Sequence, residues 1–232
     1  MPIETPVLLE RAKEFFRANI VSSHLSALQR ASHLKDYQVN PFISTYLANF
    51  LEGEATPISI AKSLIYPRIL GTSITTSFGM RSQQMIHQIF EGYGSHGTGL
   101  DLEFVDAIDG RRKYCQLKAG PNTINKDDIK TIIDHFRAIR NLSRTNGLNI
   151  GIDDLVVGIL YGTPEEMSSH YVKISETNPV YIGQEFWHRL TGEENFYSQL
   201  IDAIGEVAFE VDGRERLELA INTLAAEIAA TL

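Results

Sequence analysis

Residues 100–118 hold two stretches of alternating polarity on either side of Asp109-Gly110, and this strand–turn–strand pattern constrains the chain more than any other feature. Asp-Gly favours a two-residue hairpin turn, because such turns need positive φ, which these residues tolerate. A two-residue turn there pairs Phe104 with Cys115, Glu103 with Gln116, Leu102 with Leu117 and Asp101 with Lys118. Opposed residues share a face of the sheet. One face then carries Leu102, Phe104, Cys115 and Leu117, all apolar, and the other carries Asp101, Glu103, Gln116 and Lys118, all polar. A slip by one residue would mix the two sets, so the sorting itself supports the hairpin.

Around this hairpin the hydrophobic period alternates between helix and strand. Leu8, Leu9, Ala12, Phe15, Phe16, Ile20 and Leu25 recur at three and four, which predicts a helix over 5–32. Further helices are expected after Pro41, after Thr56-Pro57 and over 80–91, with Tyr66-Pro67 breaking or bending the chain. Asn125 is a good N-cap, and Asp127 and Asp128 in the first turn favour a helix running to about Arg144. Leu155 to Tyr161 reads as a buried strand and Tyr181-Ile182 as a short one. Helices then fill most of 184–232, where Leu217, Ile221, Leu224, Ile228 and Leu232 form a stripe for core packing or, alternatively, a dimer seam. The expected class is α/β: a small mixed central sheet flanked by helices, with extra helices at both termini. No repeat or long linker divides the chain, so a single domain over 1–232 is expected.

Several function classes are excluded early. A hydrophobic content of 43% can build a core, which removes intrinsic disorder. No apolar run reaches membrane-spanning length, the N-terminus lacks a signal-peptide pattern, and a single cysteine, Cys115, permits neither an internal disulfide nor a cysteine-based zinc cluster. The expected compartment is the cytoplasm, with no membrane partner. Gly92-Tyr93-Gly94-Ser95-His96-Gly97 fits a dinucleotide-binding pattern, but a helix precedes it and a strand follows, the reverse of the order such a site needs. With no P-loop either, no nucleotide cofactor is expected. The seven histidines show no metal-ligand spacing and read as surface or satisfied core residues.

Net charge is −8, yet residues 111–144 alone carry +6. On a helical projection Lys126, Lys130, Arg137, Arg140 and Arg144 fall within an arc of roughly 80°. Ile129, Ile132, Phe136 and Ile139 occupy a neighbouring arc suited to packing on the sheet. A basic stripe beside an apolar one has the form of a phosphate-contacting track; the alternative is pairing with the acidic C-terminal third.

The polar hairpin face admits two readings. Two carboxylates, an amide and an ammonium suit Mg²⁺ and phosphodiester hydrolysis, because hard cations prefer oxygen ligands and an ammonium stabilises charge developing on phosphate. The same four residues also suit a solvated face with one weak cross-strand ion pair.

Asp101, then 14 residues, then Gln116-Leu117-Lys118 resembles the PD-(D/E)xK nuclease signature, and the pattern of elements over residues 80–162 resembles its core. The run from Gln116 to Asn125 is similar to the catalytic strand and following loop of a group of type II restriction endonucleases. The resemblance implies a Mg²⁺-dependent, sequence-specific endonuclease acting on double-stranded DNA as a homodimer. Asp101 would bind the metal, Gln116 would be a weak second ligand, and Lys118 would align the attacking water. The family's usual second acid is Gln116 here, which brings no charge; Glu103, on the same face, is a candidate to restore it. Many members draw another polar ligand from an upstream helix, for which Gln84, Gln88 and Glu91 are candidates, Gln84 first. Asn122, Thr123 and Asn125 are candidates for DNA contact, joined by Lys126, Lys130 and Arg137 from the basic stripe. Two alternatives stay open: a structure-specific or methylation-dependent nuclease with the same core, and a non-enzymatic DNA-binding or interaction protein.

Overall fold

A computed structural model describes residues 3–90, 100–145, 147 and 149–231. The glycines of 92–97 and Glu91 lie outside the described residues. The elements in chain order are α1 (Thr5–Phe15), α2 (Ser22–Ala31), α3 (Pro41–Glu52), α4 (Pro57–Tyr66), α5 (Ile74–Ile89), β1 (Leu102–Val105), β2 (Arg112–Lys118), α6 (Lys126–Thr145), β3 (Leu155–Ile159), α7 (Ser169–Ser175), β4 (Val180–Ile182), α8 (Gln184–Thr191), α9 (Phe196–Phe209) and α10 (Gly213–Thr231). Short π-helical segments, Phe16–Val21 and Pro67–Ser73, join α1 to α2 and α4 to α5. Pro67 therefore marks a change of helical winding where a break or bend was expected. The chain forms two compact units, one of residues 1–13 and 82–204, the other of residues 14–81 and 205–232. Their boundaries fall inside α1, α5 and α9, which is why no linker composition marks them.

The first unit holds a four-stranded mixed sheet in the order β1-β2-β3-β4, so the chain is α/β as the periodicity predicts. β1 runs antiparallel to β2, while β2–β3 and β3–β4 are parallel. Ile132 and Phe136 of α6, with Tyr171 and Ile174 of α7, pack against Leu155, Val157 and Ile159 of β3. On the opposite face Phe186 of α8 meets Phe104 edge-on at 6.4 Å. Gly158 makes that approach work: a Cβ there would sit 2.4 Å from the Phe186 ring and 2.9 Å from Cys115 Sγ.

The hairpin register differs from the expected one by two residues. Leu102 opposes Cys115, Glu103 opposes Tyr114, Phe104 opposes Lys113 and Val105 opposes Arg112. The turn is longer than Asp109-Gly110. Asp106 N–H donates to Arg111 O at 2.9 Å and Gly110 N–H to Asp106 O at 2.8 Å, closing a loop over Ala107–Gly110 with Gly110 at φ +71°. Asp106 sets this length. It is fully buried, accepts from Ile108 N–H at 2.8 Å, and pairs with Arg189 of α8 at 2.9 Å. A shift of two keeps every side chain on its expected face, because faces alternate with period two.

The second unit packs α2, α4 and α10 around Leu28, Ala31, Ala61, Ile65, Leu224 and Ile228. The α10 stripe is thus core, which rules out the dimer-seam alternative for Ile221, Leu224 and Ile228. Asn40 caps α3 by accepting from Phe42 and Ile43 N–H, with Pro41 at the first position. This helix buries its small residues, Ser44 and Ala48, and exposes its large ones: Phe42 is 84% and Phe50 74% exposed, beside Ile43 and Tyr46.

Candidate active site

Asp101 stands one residue before β1, where the antiparallel register brings it opposite Gln116. Its backbone N–H donates to Cys115 O at 3.0 Å. Its carboxylate Oδ2 accepts from Leu117 N–H at 2.8 Å, which anchors the acid between the side chains of Gln116 and Lys118. Oδ1 has no hydrogen-bond partner among the described residues. Burial pushes the Asp101 carboxyl above its ordinary value, against the pull of Leu117 N–H, the Lys118 ammonium and the imidazoles of His87 and His135. A buried carboxylate under that penalty is relieved by a bound cation.

Lys118 ends β2, level with Ile159 of β3. It is half-buried, and its ammonium has no ion-pair partner among the described residues. Gln116 is only 7% exposed because α6 lies over this face. Its amide nitrogen lies 2.9 Å from His135 Nδ1 on α6. On this face Gln116 is thus buried, while Asp101, Glu103 and Lys118 stay partly exposed.

Asp101, Gln116 and Lys118 come together. Glu103 sits two pairs further along, opposite Tyr114, with Arg112 Nη1 3.5 Å from its Oε2. Gln84 and Gln88 on α5 are exposed. The same helix instead delivers His87 within electrostatic reach of Asp101. His87 and His135 were missed because neither has metal-ligand spacing. The signal for His135 lay in the helical projection, at the edge of the apolar arc that faces the sheet.

A family model described as Type II restriction endonuclease EcoO109I matches residues 11–212. The chain belongs to this type II restriction endonuclease family. No curated protein matches it. The match runs far beyond the hairpin region that carries the sequence resemblance, through residues of both compact units.

In this restriction endonuclease family member, the loop after β2 is held by its own side chains. Thr123 Oγ1 donates to Gly120 O and meets Tyr171 Oη, each at 2.9 Å. Asn125 caps α6 as its sequence predicts: Oδ1 accepts from Asp127 N–H at 2.8 Å and Asp128 N–H at 3.2 Å. Asn122 is exposed. Lys126, Lys130 and Arg137 are exposed along α6, and Asp134 bridges Lys130 and Arg137 at 2.9 Å each. Pairing with the acidic C-terminal third involves bases at the start of the second hairpin arm instead, since Arg111 and Lys113 both reach Asp154. On ideal helix geometry the basic stripe lies about 180° around α6 from His135, on its other flank. There Arg137, Arg140 and Arg144 border a shallow cleft of about 240 Å³ floored by Phe136 and Leu155.

The donor set fits a hard divalent cation. Asp101 offers a carboxylate oxygen and Gln116 an amide oxygen, and Mg²⁺ characteristically takes one or two protein oxygens and keeps water for the rest. Among the described residues no group of three or more His, Cys, Asp or Glu side chains is placed to hold a metal. No helix among them is long and apolar enough to cross a membrane.

Proposed function

We propose that this chain is a Mg²⁺-dependent, sequence-specific endonuclease that hydrolyses phosphodiester bonds in double-stranded DNA. The observation that carries this reading is the Asp101 Oδ2 to Leu117 N–H hydrogen bond, 2.8 Å, which locks the acid beside Gln116 and Lys118. Membership of a type II restriction endonuclease family supports it independently.

Asp101 Oδ1 and the Gln116 amide oxygen would hold the cation. When bound, Mg²⁺ polarises the scissile phosphate and offsets its charge. Lys118 donates to the attacking water, orienting its lone pair toward phosphorus, and its positive charge stabilises the negative charge that grows on the phosphate oxygens. Glu103 would be an auxiliary ligand that supplies the charge Gln116 lacks, and Gln84, exposed on α5, would be a further polar contact. Asn122, Thr123 and Asn125 would approach the backbone from the loop after β2. Lys126, Lys130 and Arg137 hold phosphates of the flanking duplex from the outer face of α6.

Two-fold DNA sites call for two-fold proteins, so the working form is a homodimer. The exposed face of α3 supplies a surface for it: Tyr46 and Phe50 are stacked at 6.1 Å, beside the exposed Phe42 and Ile43. The double variant Phe42→Glu, Phe50→Glu is expected to sediment as a monomer where the natural chain sediments as a dimer. A monomeric natural chain, both free and on DNA, overturns this interface.

The function is tested by incubating the purified chain with phage DNA and Mg²⁺ and sequencing the fragment ends. Discrete fragments sharing one end sequence are expected. Cutting confined to junctions or to modified DNA would favour the structure-specific or methylation-dependent alternative. Intact DNA at every divalent concentration would reduce the chain to a binding protein.

A further inference from the structure

The loop that joins β2 to α6 follows Lys118 directly and is tied down by its neighbours. Thr123 Oγ1 donates to Gly120 O at 2.9 Å. A hydroxyl has one proton, so the Tyr171 hydroxyl, also 2.9 Å from Thr123 Oγ1, must donate to it. The same Tyr171 hydroxyl lies 3.3 Å from Gly120 O. Ser168 N–H donates to Pro121 O at 3.1 Å. The Tyr161 ring covers Gly120 so closely that a Cβ there would sit 2.4 Å from it. Pro121, Ile124 and Tyr171 are buried.

Within this fixed loop the polar side chains are spent unequally. The Thr123 hydroxyl is committed twice, to Gly120 and to Tyr171. Asn125 Oδ1 caps α6 by accepting from Asp127 and Asp128 N–H. An amide reads a base edge by donating and accepting together, so an amide whose oxygen is committed cannot do so. Asn122 differs: it is exposed, and its amide has no hydrogen-bond partner among the described residues. It offers one acceptor and two donors from a backbone that does not have to be ordered when DNA binds. Four residues separate it from Lys118, so its Cα lies within about 14 Å of the lysine's. At about 3.4 Å per base pair, that span is about four base-pair steps.

We propose that Asn122 is a specificity-determining residue: the clamped loop presents its uncommitted amide to the edge of a base pair close to the scissile phosphate. The adenine major-groove edge, with a donor beside an acceptor, is the natural match for such an amide. The proposal rests on the nuclease reading above and narrows its loop contacts to one side chain that discriminates between bases. Tyr171 acts through the loop and is a positioning residue.

The test digests phage DNA with Mg²⁺ and sequences every fragment end, for the natural chain, Asn122→Ala and Tyr171→Phe. Asn122→Ala is expected to broaden the end sequence at one base pair, repeated in each half-site and within about four steps of the cut, with the preference there falling about 10-fold or more. Tyr171→Phe keeps the ring, removes the hydroxyl, and should broaden the same position to a smaller extent. Should Asn122→Ala not cut, the comparison moves to duplexes selected from a random-sequence pool by Lys118→Ala with and without Asn122→Ala, and is read in the same way. An unchanged end sequence at every position, whatever the rate, assigns Asn122 to the backbone and overturns the proposal. Broadening across the whole site overturns it too, since a base reader acts at its own position. A natural chain that leaves the DNA intact overturns the nuclease reading itself, a result distinct from both.

Discussion

Lys118→Ala leaves a folded protein whose DNA cleavage falls by about a thousandfold, the scale expected when one preorganised charge is removed from a developing oxyanion. The fold should survive because the ammonium holds nothing together. It has no ion-pair partner among the described residues, and the neighbouring backbone is secured by Leu160 N–H donating to Lys118 O at 3.0 Å. The chemistry should not survive, because Lys118 is the one lysine or arginine among the described residues whose charge acts on Asp101. Lys118→Arg is expected to recover little, since a planar fork does not replace a compact point charge at the end of a strand. Plasmid cleavage rates, paired with circular dichroism of the same preparations, check both halves. Cleavage by Lys118→Ala at the natural rate would mean the reacting phosphate sits elsewhere.

Arg189→Ala is expected to cost about 3–5 kcal/mol of stability, the penalty for leaving a buried charge unpaired. Asp106 is 0% exposed, and its Oδ2 is held by Arg189 Nη1 at 2.9 Å. The same guanidinium lies over the Tyr181 ring at 4.2 Å and pairs with Glu185 at 3.0 Å, so the truncation also removes packing between β4 and α8. Urea unfolding gives the direct measurement. Adding Asp106→Asn to the Arg189→Ala variant should return part of the loss, because a neutral amide costs less to strand than a carboxylate. A loss below about 1 kcal/mol would put this pair in the class of exposed ion pairs. The hairpin loop should loosen with the pair, since Ala107 N–H also donates to Arg189 O at 2.8 Å.

These two residues illustrate different degrees of legibility. Lys118 was readable because strand faces alternate with period two. The expected turn was wrong by two residues, yet Asp101, Gln116 and Lys118 still share a face. The cap of α6 by Asn125 was readable for a similar reason, since it depends on neighbours within a few residues. Arg189 was not readable as a partner of Asp106, because 83 positions separate them and no local pattern links them.

The exposed face of α3 was illegible in a different way. Its apolar residues, Phe42, Ile43, Tyr46 and Phe50, were plain in the sequence, but helical periodicity shows that a face is apolar and not which way it turns. Packing turned the small residues Ser44 and Ala48 inward and left the aromatic ones outside.

Local chemistry alone thus determined the sheet strands, the helix that covers them and the face on which the acid, amide and ammonium lie, because alternation, capping and helical period act between residues close in the chain. Tertiary structure decided the hairpin register, the burial of Gln116, the arrival of His135 and His87 within electrostatic reach of Asp101, and the division into two units assembled from separate stretches. Each of these depends on which distant side chains share a volume, and in particular on buried polar groups such as Asp106 and Gln116 finding partners far along the chain.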